Sequence, residues 1–505
     1  MRDAPLLAAG LTAAALAVLG WPALWQPGTQ VLGGGQGDFP SIAWGLWQVA
    51  ASLPALPTRF PDLYYPQGAT LLVADLPGAI LLSPVTALLG PIAAFNVLQA
   101  AHPILAAAAG ALLCEERWGA VVCGVSLGLS QVLLSSLHNG NPDVTPIFWV
   151  PLAALASSRI GRGWRWAVLA GLAVGLSAWF NPYVGAMAGI AALVMAPWRS
   201  PWSLLAGSIA LAVAGLYAAA VQGTLDASAA MIAKPALDVT RPSPGAADLA
   251  GWLWPAGRTQ PDGWSVHAWF PGATVLVLAA AGWRAGGRWW LLVAAGTLLS
   301  LGPILQLQPG VAAGTAGTLI ALPGRWVQQL PGFSSLHIQY RLAALAVVGL
   351  GGLAAAGTAR LPARWRWVAA AAVVAELSLW GAPLVQAGPA PPDTACRLLA
   401  PLPPGAVLDL PGEREERRML AQTCHGRPIA EGLNQPYPGV VRQRLGELSA
   451  LSSLGFRYIV IHEDVAPQTP PGERLRARTL LAEAQAAGMV AASAEGVSVI
   501  DLGAP

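Results

Sequence analysis

Charged residues are scarce in this sequence of 505 residues. Asp, Glu, Lys and Arg make up 10% of the chain and hydrophobic residues 55%, whereas a soluble domain carries about 25% charged residues. The formal net charge is only +3, which is too small to indicate a nucleic-acid partner. The composition therefore excludes an ordinary soluble protein and predicts an integral membrane protein.

The sequence also lacks the common signatures of catalytic and cofactor sites. It contains no Gly-rich nucleotide loop, no HExxH, no nucleophile elbow and no CxxC, so nothing indicates a nucleotide, zinc-protease, serine-hydrolase or dithiol site. The few cysteines, Cys114, Cys123, Cys396 and Cys424, have no metal-site spacing. An enzyme with this sequence must work without these devices.

Apolar runs, many of them close to the ~20 residues that cross a bilayer, recur along the first 385 residues. They predict about eleven spans, at residues 5–25, 92–114, 118–137, 144–158, 166–180, 182–198, 202–222, 268–283, 289–305, 342–358 and 367–385. Segment 70–91 is also apolar, but a crossing there would place the Arg-rich "SSRIGRGWRW" outside. We therefore expect a mainly α, polytopic transmembrane helical bundle in which 70–91 is re-entrant or interfacial.

The distribution of basic residues predicts the orientation, because short cytoplasmic loops collect Lys and Arg. A cytoplasmic N-terminus places on the inner side Arg2, Arg117, Arg159, Arg162, Arg165, Arg199, Arg284, Arg288, Arg360, Arg364 and Arg366. The other side then holds three long loops with few basic residues. We expect a multi-pass protein of the plasma membrane with its N-terminus in the cytoplasm.

The composition changes after Trp380, where the linker "GAPLVQAGPAPPDTA" leads into an Arg-rich stretch. There "AVLDL" and "RYIVIH" read as buried strands, and "VVRQRLGELSALSSL" and "RLRARTLLAEAQAAG" as helices. We expect two domains, a transmembrane domain at 1–385 and a small α/β domain at 386–505. An odd number of spans places the second domain outside the cytoplasm, where Cys396 and Cys424 could pair.

Polar residues gather in the predicted external loops. They are Asp38 after span one, His138 and Asp143 in "SSLHNGNPDVT", and His337, Tyr340 and Arg341 in "GFSSLHIQYRL". Because these loops share one membrane face, their side chains could converge on a single outward-facing cavity. Asp75, inside the apolar 70–91 segment, is unusual enough to suggest function.

Each of these residues also has a plainer interpretation. Asp38 could be the N-cap of a helix that begins near Pro40, and Asp143 could be a cap or a solvated loop acid. Arg341 could reach the lipid headgroups, and Asp75 could mark a helix break. The residues alone leave these alternatives open.

At several stretches the sequence resembles the GT-C glycosyltransferases, polytopic enzymes that take sugar from a polyprenyl-phosphate carrier on the external face. The likeness is to bacterial members with a C-terminal periplasmic domain. The matching stretches are "GDF" after span one, "PDLYYPQGATLL", "HNGNPDVTPIFWVPL", "IALPGRWVQQLPGFSSLHIQYRLAAL" and "MLAQTCHGRPIAEGL". Their order and common membrane side carry the resemblance, because each motif alone is degenerate.

The resemblance implies a site made of residues from these loops. Asp38 matches an acidic residue that acts as base or orients the acceptor, and Asp143 matches a second catalytic acid. Arg341 matches an arginine that holds the donor phosphate, while His337, Tyr340, His138 and Asp75 are further candidates for substrate binding. The sequence departs from the family in having a lone Asp38 where an acidic pair is common, and His337 where an arginine is expected.

Together these observations predict an inverting membrane glycosyltransferase that transfers a hexosyl or pentosyl group. Its partners would be a polyprenyl-phosphate-linked sugar donor, membrane lipids, and a glycan, lipid or protein acceptor in a bacterial envelope. No cofactor is indicated, and a divalent metal ion stays open. A transporter or flippase of lipid-linked glycans is one alternative, although no inverted repeat is evident. A non-catalytic envelope scaffold is another.

Overall fold

The architecture comes from a computed structural model of the chain. The structure describes residues 3–33, 37–55, 60–69, 75–231, 243, 245–255, 258–259, 266–308, 311–315, 318–327, 329, 338–385, 387–390, 394–411, 415–431, 437–463 and 471–503. Within these ranges the chain is mainly helical, which confirms the predicted class. Elements are numbered below in chain order.

The first part of the chain is a helical bundle with a few short strands. Its helices are α1 (Ala4–Leu19), α2 (Phe39–Ser52), α3 (Leu76–Leu89), α4 (Pro91–Ala111), α5 (Arg117–Gly128), α6 (Gln131–His138), α7 (Trp149–Ser158), α8 (Trp164–Phe180), α9 (Pro182–Met195), α10 (Trp202–Met231), α11 (Leu249–Leu253), α12 (Ala273–Ala281), α13 (Gly287–Ser300), α14 (Gly324–Val327), α15 (Ala343–Arg360) and α16 (Ala363–Gly381). Its strands are β1 (Gln30–Leu32), β2 (Arg258–Thr259), β3 (Val266–His267), β4 (Gln306–Gln308), β5 (Val311–Ala312), β6 (Gly314–Thr315) and β7 (Thr318–Leu319).

Each predicted span contains at least one helix, although several helices are shorter than predicted, and several could cross a bilayer. In the described part of the chain, 5 helical stretches combine sufficient length with an apolar composition: Pro91–Ala111, Arg117–His138, Trp202–Ala219, Gln339–Arg360 and Ala363–Leu384. Shorter apolar helices, such as α1, α8 and α9, accompany them. The chain is therefore a multi-pass membrane protein, while the number of crossings stays a prediction.

Two segments differ from a simple row of spans. The 118–137 segment is not one unbroken helix, because α5 ends at Gly128 and α6 begins at Gln131, with Ser130 in an extended conformation. Gly and Ser are weak formers of helix interiors, so a break there costs little. Within 70–91, α3 has 14 residues and is therefore about 21 Å long, which is shorter than the ~30 Å hydrocarbon core. The length alone does not separate α3 from other short helices of the bundle, such as α9 and α13, so the re-entrant or interfacial placement stays a prediction.

Three of the predicted inner segments lie together at one end of the bundle. Arg117 pairs with Asp3 at 3.0 Å, and Arg366 approaches Glu116 at 3.5 Å. These ion pairs join the start of α1, the α4–α5 connection and the start of α16. The proximity of these segments supports the sequence prediction that they share one membrane side.

Helix α15 forms the centre of the bundle. Every residue from Ala343 to Ala355 is buried, and α5, α12 and α13 pack around it. A Cβ on Gly357 would lie 1.9 Å from the carbonyl oxygen of Leu278, and a Cβ on Gly282 1.9 Å from that of Leu353. Glycine thus lets the backbones of α12 and α15 touch, as small residues do between membrane helices.

The last part of the chain contains a four-stranded sheet with helices. Its elements are β8 (Ala387–Pro389), α17 (Thr394–Leu399), β9 (Ala406–Leu410), α18 (Glu415–His425), α19 (Gly439–Arg442), α20 (Leu448–Ser453), β10 (Phe456–His462), α21 (Pro471–Ala486), β11 (Val490–Ala494) and β12 (Val497–Asp501). The sheet order is β11-β12-β10-β9, with β9 parallel to β10 and the other pairs antiparallel. Both predicted strands are present as β9 and β10.

Three details of this part refine the sequence predictions. The stretch "VVRQRLGELSALSSL" is not one helix but two short ones, α19 and α20, with the weak helix former Gly446 between them. The linker contains strand β8, which pairs antiparallel with β1. Cys396 and Cys424 form a disulfide that joins α17 to α18, with their Cα atoms 6.0 Å apart. The predicted pairing is confirmed.

Helix α2 lies between the two parts of the chain. The Trp44 indole N–H donates to Gln422 Oε1 on α18 at 2.7 Å, and Gln422 Nε2 donates to the carbonyl oxygen of Asp62 at 2.9 Å. Trp44 is 1% exposed. Because α2 begins directly after Asp38, this contact links the C-terminal part to the position of that carboxylate.

Candidate active site

Asp38 ends the loop between α1 and α2, called here the first loop (residues 20–38). Its carboxylate is exposed, and it makes no capping hydrogen bond to α2 although Asp38 occupies the N-cap position. The Asp38 carbonyl oxygen instead accepts from the Ser41 hydroxyl at 2.8 Å and from the Ile42 N–H at 3.0 Å. The capping interpretation of this carboxylate therefore finds no hydrogen bond to support it.

A buried amide on α4 holds the first loop in place. Asn96 Oδ1 accepts from the N–H of Leu32 at 2.8 Å, while its Nδ2 donates to the carbonyl oxygens of Gln30 at 2.7 Å and Pro27 at 3.0 Å. The Asn96 side chain thus binds three backbone groups of the first loop. Nothing in the sequence distinguished Asn96 from other residues of an apolar span.

The first loop then meets the end of α6. Gly33 has φ +90°, and a Cβ placed on it would lie 2.0 Å from the carbonyl oxygen of Leu137 and 3.4 Å from His138 Cα. This approach is possible only because glycine has no side chain. It brings Asp38 and the half-buried His138 into neighbouring segments, as the sequence predicted for the external loops.

The segment from Asn139 to Thr145, called here the polar turn, follows α6. Asn139 exchanges two hydrogen bonds of 2.8 Å with the backbone of Val266 and so fixes β3 beside the turn. Asp143 lies in a short 3-10 helix, Pro142–Val144. The Thr145 hydroxyl donates to the carbonyl oxygen of Pro142 at 2.7 Å, which closes the turn.

Asp75 lies behind the polar turn. It caps α3 by accepting from the Gly78 N–H at 2.9 Å, with φ +52°, and is 1% exposed. Its Oδ2 is 3.5 Å from His102 Nε2, and His102 Nδ1 is 2.6 Å from the Thr145 hydroxyl. Asp75 therefore reaches the turn through His102 and Thr145, and its own burial suits support of the turn better than contact with a substrate.

Arg341 enters the same region from the start of α15. It lies in the 3-10 turn Gln339–Leu342 and is 9% exposed, with its guanidinium 5.1 Å from the centre of the Tyr183 ring. The Tyr183 hydroxyl accepts from the N–H of Ile338 at 2.7 Å, and the N–H of Tyr340 donates to the Gly245 carbonyl oxygen at 2.8 Å. These contacts hold the backbone on either side of Arg341 and place the Tyr183 ring beside its guanidinium.

Tyr340 is 1% exposed and stacks on His267, with ring centroids 4.0 Å apart. His267 follows Val266 on β3, which the polar turn holds. Tyr340 is therefore a wall of the site rather than a solvent-facing group. His337, the other candidate of this segment, lies outside the described residues.

Asn141 joins Asp38 to Arg341. With the amide nitrogen on the side of the carboxylate, Asn141 donates to Asp38 Oδ2 at 3.1 Å and to the Asn139 carbonyl oxygen at 2.6 Å, and its oxygen accepts from Arg341 Nη2 at 3.2 Å. We assign this amide orientation because the reverse one faces donor to donor and acceptor to acceptor. The structure thus brings together two of the predicted residues, and the residue that joins them was missed.

No metal site is evident where the structure is described, since no three His, Cys, Asp or Glu residues of that part come together. The polar groups that do meet are a carboxylate, an amide and a guanidinium. An exposed carboxylate can accept a proton, and a guanidinium can hold an anion with two donors. The arrangement suits acid–base chemistry beside a phosphate.

Comparison with known proteins identifies the fold. No protein-family model and no curated protein matches the sequence. Among solved structures, the chain is similar to the archaeal oligosaccharyltransferase AglB from Archaeoglobus fulgidus, in complex with an inhibitory peptide and a dolichol-phosphate. The TM-score is 0.52 at 12% identity, over 91% of this chain and 69% of that one.

A second similarity is to the arabinofuranosyltransferase AftD from mycobacteria. The TM-score is 0.58 at 17% identity, over 100% of this chain but only 42% of that one. At such identities the likeness is one of fold, and the chain spans less than half the length of AftD. The resemblance predicted from the sequence motifs is confirmed at this level: the chain has the fold of the polytopic GT-C glycosyltransferases.

Proposed function

We propose that the chain is a membrane glycosyltransferase that moves a sugar from a polyprenyl-phosphate carrier to a glycan, lipid or protein acceptor of a bacterial envelope. The observation that carries the proposal is the meeting of Asp38 and Arg341 on Asn141. Three separate parts of the chain supply these residues, and their side chains provide the two groups that glycosyl transfer needs. Those groups are a base for the acceptor and a cation for the departing phosphate.

The reaction is a displacement at the anomeric carbon of the donor. Asp38 takes the proton of the acceptor hydroxyl while the acceptor oxygen forms a bond to that carbon. The bond from the same carbon to the phosphate oxygen breaks, and the electron pair leaves with the phosphate. Arg341 stabilises the negative charge that develops there, and attack from the opposite side inverts the configuration. Asp143 helps to position the acceptor or a divalent metal ion.

A lipid carrier suits the location of Arg341. The residue precedes α15, a central apolar helix, so its guanidinium lies near the membrane surface where a carrier phosphate resides. A donor held by its lipid tail also explains why the sequence has no nucleotide loop. The AglB structure contains a dolichol-phosphate, which is a lipid of the same chemical class.

The orientation follows from the arginine distribution and the disulfide. The inner side holds the Asp3–Arg117 and Glu116–Arg366 pairs, and the site lies at the other end of the bundle. Disulfides persist in oxidising compartments, so the Cys396–Cys424 bond supports a C-terminal α/β domain outside the cytoplasm. We place the chain in the bacterial plasma membrane with the site facing outward.

Replacing Asp38 by Asn tests the proposal. The variant keeps the shape of the side chain but removes the base, and general-base catalysis contributes about 10²–10⁴-fold. A deletion strain carrying Asp38→Asn should lack the envelope glycan that the wild-type gene restores, as measured by mass analysis. Protein level and melting temperature should stay near wild type, because the side chain makes no cap for α2.

Asp62→Asn is the matched control, since Asp62 is an exposed aspartate of the same region that lies outside the site, and it should restore the glycan. A flippase would instead leave unmodified lipid-linked sugar on the inner leaflet of the deletion strain. A scaffold would tolerate both substitutions. Full restoration by Asp38→Asn would refute the assignment of Asp38 as base.

A further inference from the structure

We propose that Asn141 is a positioning residue that holds the Asp38 carboxylate and the Arg341 guanidinium apart, so that neither neutralises the other. This inference rests on the proposed function and deepens it. It follows from hydrogen-bond chemistry at one side chain, and it assigns the residue that the sequence left without a role.

The side-chain chemistry of asparagine suits this role. A carboxylate only accepts hydrogen bonds and a guanidinium only donates them, whereas an amide has one end of each kind. Asn141 therefore bridges the two charges without adding a third. Its second N–H donates to the Asn139 carbonyl oxygen at 2.6 Å, so both amide protons are used and the amide cannot turn over without losing all three contacts.

The backbone of Asn141 is equally restrained. Gly140 before it has φ +66°, and Pro142 after it limits the conformations that Asn141 can adopt. The Asn141 N–H donates to the Ser136 carbonyl oxygen at 3.0 Å, and Thr145 and His102 fix the far end of the polar turn. The buried His102–Asp75 contact thus has a purpose in this scheme, because it anchors the turn that presents Asn141.

Separation matters because the two charges need different partners during the reaction. An arginine in direct contact with a carboxylate lowers the pKa of that carboxyl and weakens it as a base. The same contact occupies the guanidinium donors that a phosphate would use. One intervening amide keeps each group in place while reducing both effects.

Other charged or titratable groups surround the site and stay constant in the test. They are His138 at the end of α6, Asp143 on the polar turn, His267 on β3, Tyr340 beside Arg341 and Tyr183 on α9. None of them is changed by substitution at position 141. With alanine or glutamine at 141, a shift therefore reports the Asp38–Arg341 pair. With aspartate, whose own carboxyl also titrates, the difference from the Asp38→Asn counterpart isolates Asp38.

The experiment compares Asn141→Ala, Asn141→Asp and Asn141→Gln in the full-length protein. Transfer is measured against pH in membranes of the deletion strain, supplied with a lipid-linked sugar extract from wild-type cells. Alanine lets Arg341 approach Asp38, so the acidic limb of the pH–rate profile should move down by about 0.5–1 pH unit, with a rate loss of roughly tenfold or more. Aspartate adds a second negative charge, so the limb should move up by a similar amount. Glutamine should restore part of the rate with the limb near its wild-type position.

Asn96→Ala is the matched control. It removes the buried amide of Asn96, which holds the first loop but contacts neither Asp38 nor Arg341. The transfer rate should therefore fall while the acidic limb of the pH–rate profile stays in place. If alanine and aspartate at 141 move the limb in the same direction, or not at all, Asn141 is only a structural residue and the inference fails.

A second measurement separates this failure from failure of the proposed function. Protonation of Asp38 is followed in purified protein, without donor, as the infrared carboxyl difference between each protein and its Asp38→Asn counterpart. Opposite shifts for alanine and aspartate support the inference whether or not sugar is transferred. Absence of transfer by the wild-type protein as well would refute the glycosyltransferase proposal and leave the inference standing. Identical protonation in all variants would overturn the inference.

Discussion

Replacement of Gly33 by alanine is expected to displace Asp38 from the site and to lower stability, because the added Cβ meets backbone atoms of α6. Gly33 has φ +90°, and its added Cβ would lie 2.0 Å from the Leu137 carbonyl oxygen. Ordinary contacts begin near ~3.5 Å, so the first loop and the end of α6 must separate by roughly 1 Å or more. Asp38 is on one of these segments and Asn141 follows the other.

Gly33→Ala is expected to cost both stability and transfer rate, and a substitution at a second glycine distinguishes the two effects. A non-glycine residue in a sparsely populated positive-φ region costs about 1–3 kcal/mol. This cost also applies to Gly90, which has φ +85°, ψ 167° and nothing within 4 Å of its Cβ position. Gly90→Ala therefore carries the backbone strain alone. A misplacement of ~1 Å in an active site can cost about 10²-fold in rate, and this second effect applies to Gly33→Ala only.

The assay is sugar transfer in membranes together with the melting temperature of the purified protein. Gly90→Ala should melt a few degrees below wild type, since ~1 kcal/mol corresponds to about 2–4 °C in larger domains. Gly33→Ala should melt lower still, because its Cβ also meets the backbone of α6. Gly33→Ala should lose about 10²-fold in transfer, whereas Gly90→Ala should keep nearly all of it. Equal activity of the two variants would show that the contact between the first loop and α6 does not position Asp38.

Two further predictions concern Arg341 and His425. Arg341→Lys keeps the charge but loses the two hydrogen-bond donors that bind one phosphate and the planar contact with Tyr183. The KM for the donor should therefore rise about tenfold or more with folding intact. An unchanged KM would mean that Arg341 only contacts lipid headgroups. Burial, together with the neighbouring Arg427 guanidinium, lowers the pKa of His425 from 6.5 to about 4, and His425 Nδ1 accepts from the Arg427 N–H at 3.1 Å. Because the unfolded chain binds the extra proton first, this contribution to stability is complete above pH 6.5 and is lost as the pH falls toward 4, by up to about 3 kcal/mol. Melting temperature of the full-length protein should therefore fall over this window, and His425→Gln should flatten the fall; equal slopes would contradict the buried neutral histidine.

Local patterns predicted the helices and strands well because a segment that is buried in lipid or in a sheet must itself be apolar. Apolar runs located every helix of the bundle that was proposed as a span, and short β-branched runs located β9 and β10. The errors fall where one residue interrupts a pattern that is otherwise uniform. Ser130 divides a span, and Gly446 divides a C-terminal helix, because neither residue changes the average hydrophobicity of its segment.

The site was predictable only in part, because the residues that form it are far apart in the sequence. Asp38 and Arg341 attract attention as charges beside apolar spans, where ions are costly. Asn141 and Asn96 are neutral amides, and their importance lies in partners that are distant in sequence. Asn141 was inside a quoted motif, yet only the folded chain shows that its two ends face opposite charges.

The C-terminal part of the chain is best understood as a component of the site's framework. Strand β8 pairs with β1 in the first loop, and Gln422 on α18 holds Trp44 on α2. Asp38 lies between β1 and α2, so both elements next to it are fixed by residues more than 300 positions later in the sequence. The disulfide at Cys424 in turn ties α18 to α17. A loop that carries the proposed base needs rigid support on both sides, and in this chain that support comes from α4 through Asn96, from β8 and from α18. Removal of the C-terminal part should therefore disorder the first loop rather than merely free the membrane bundle.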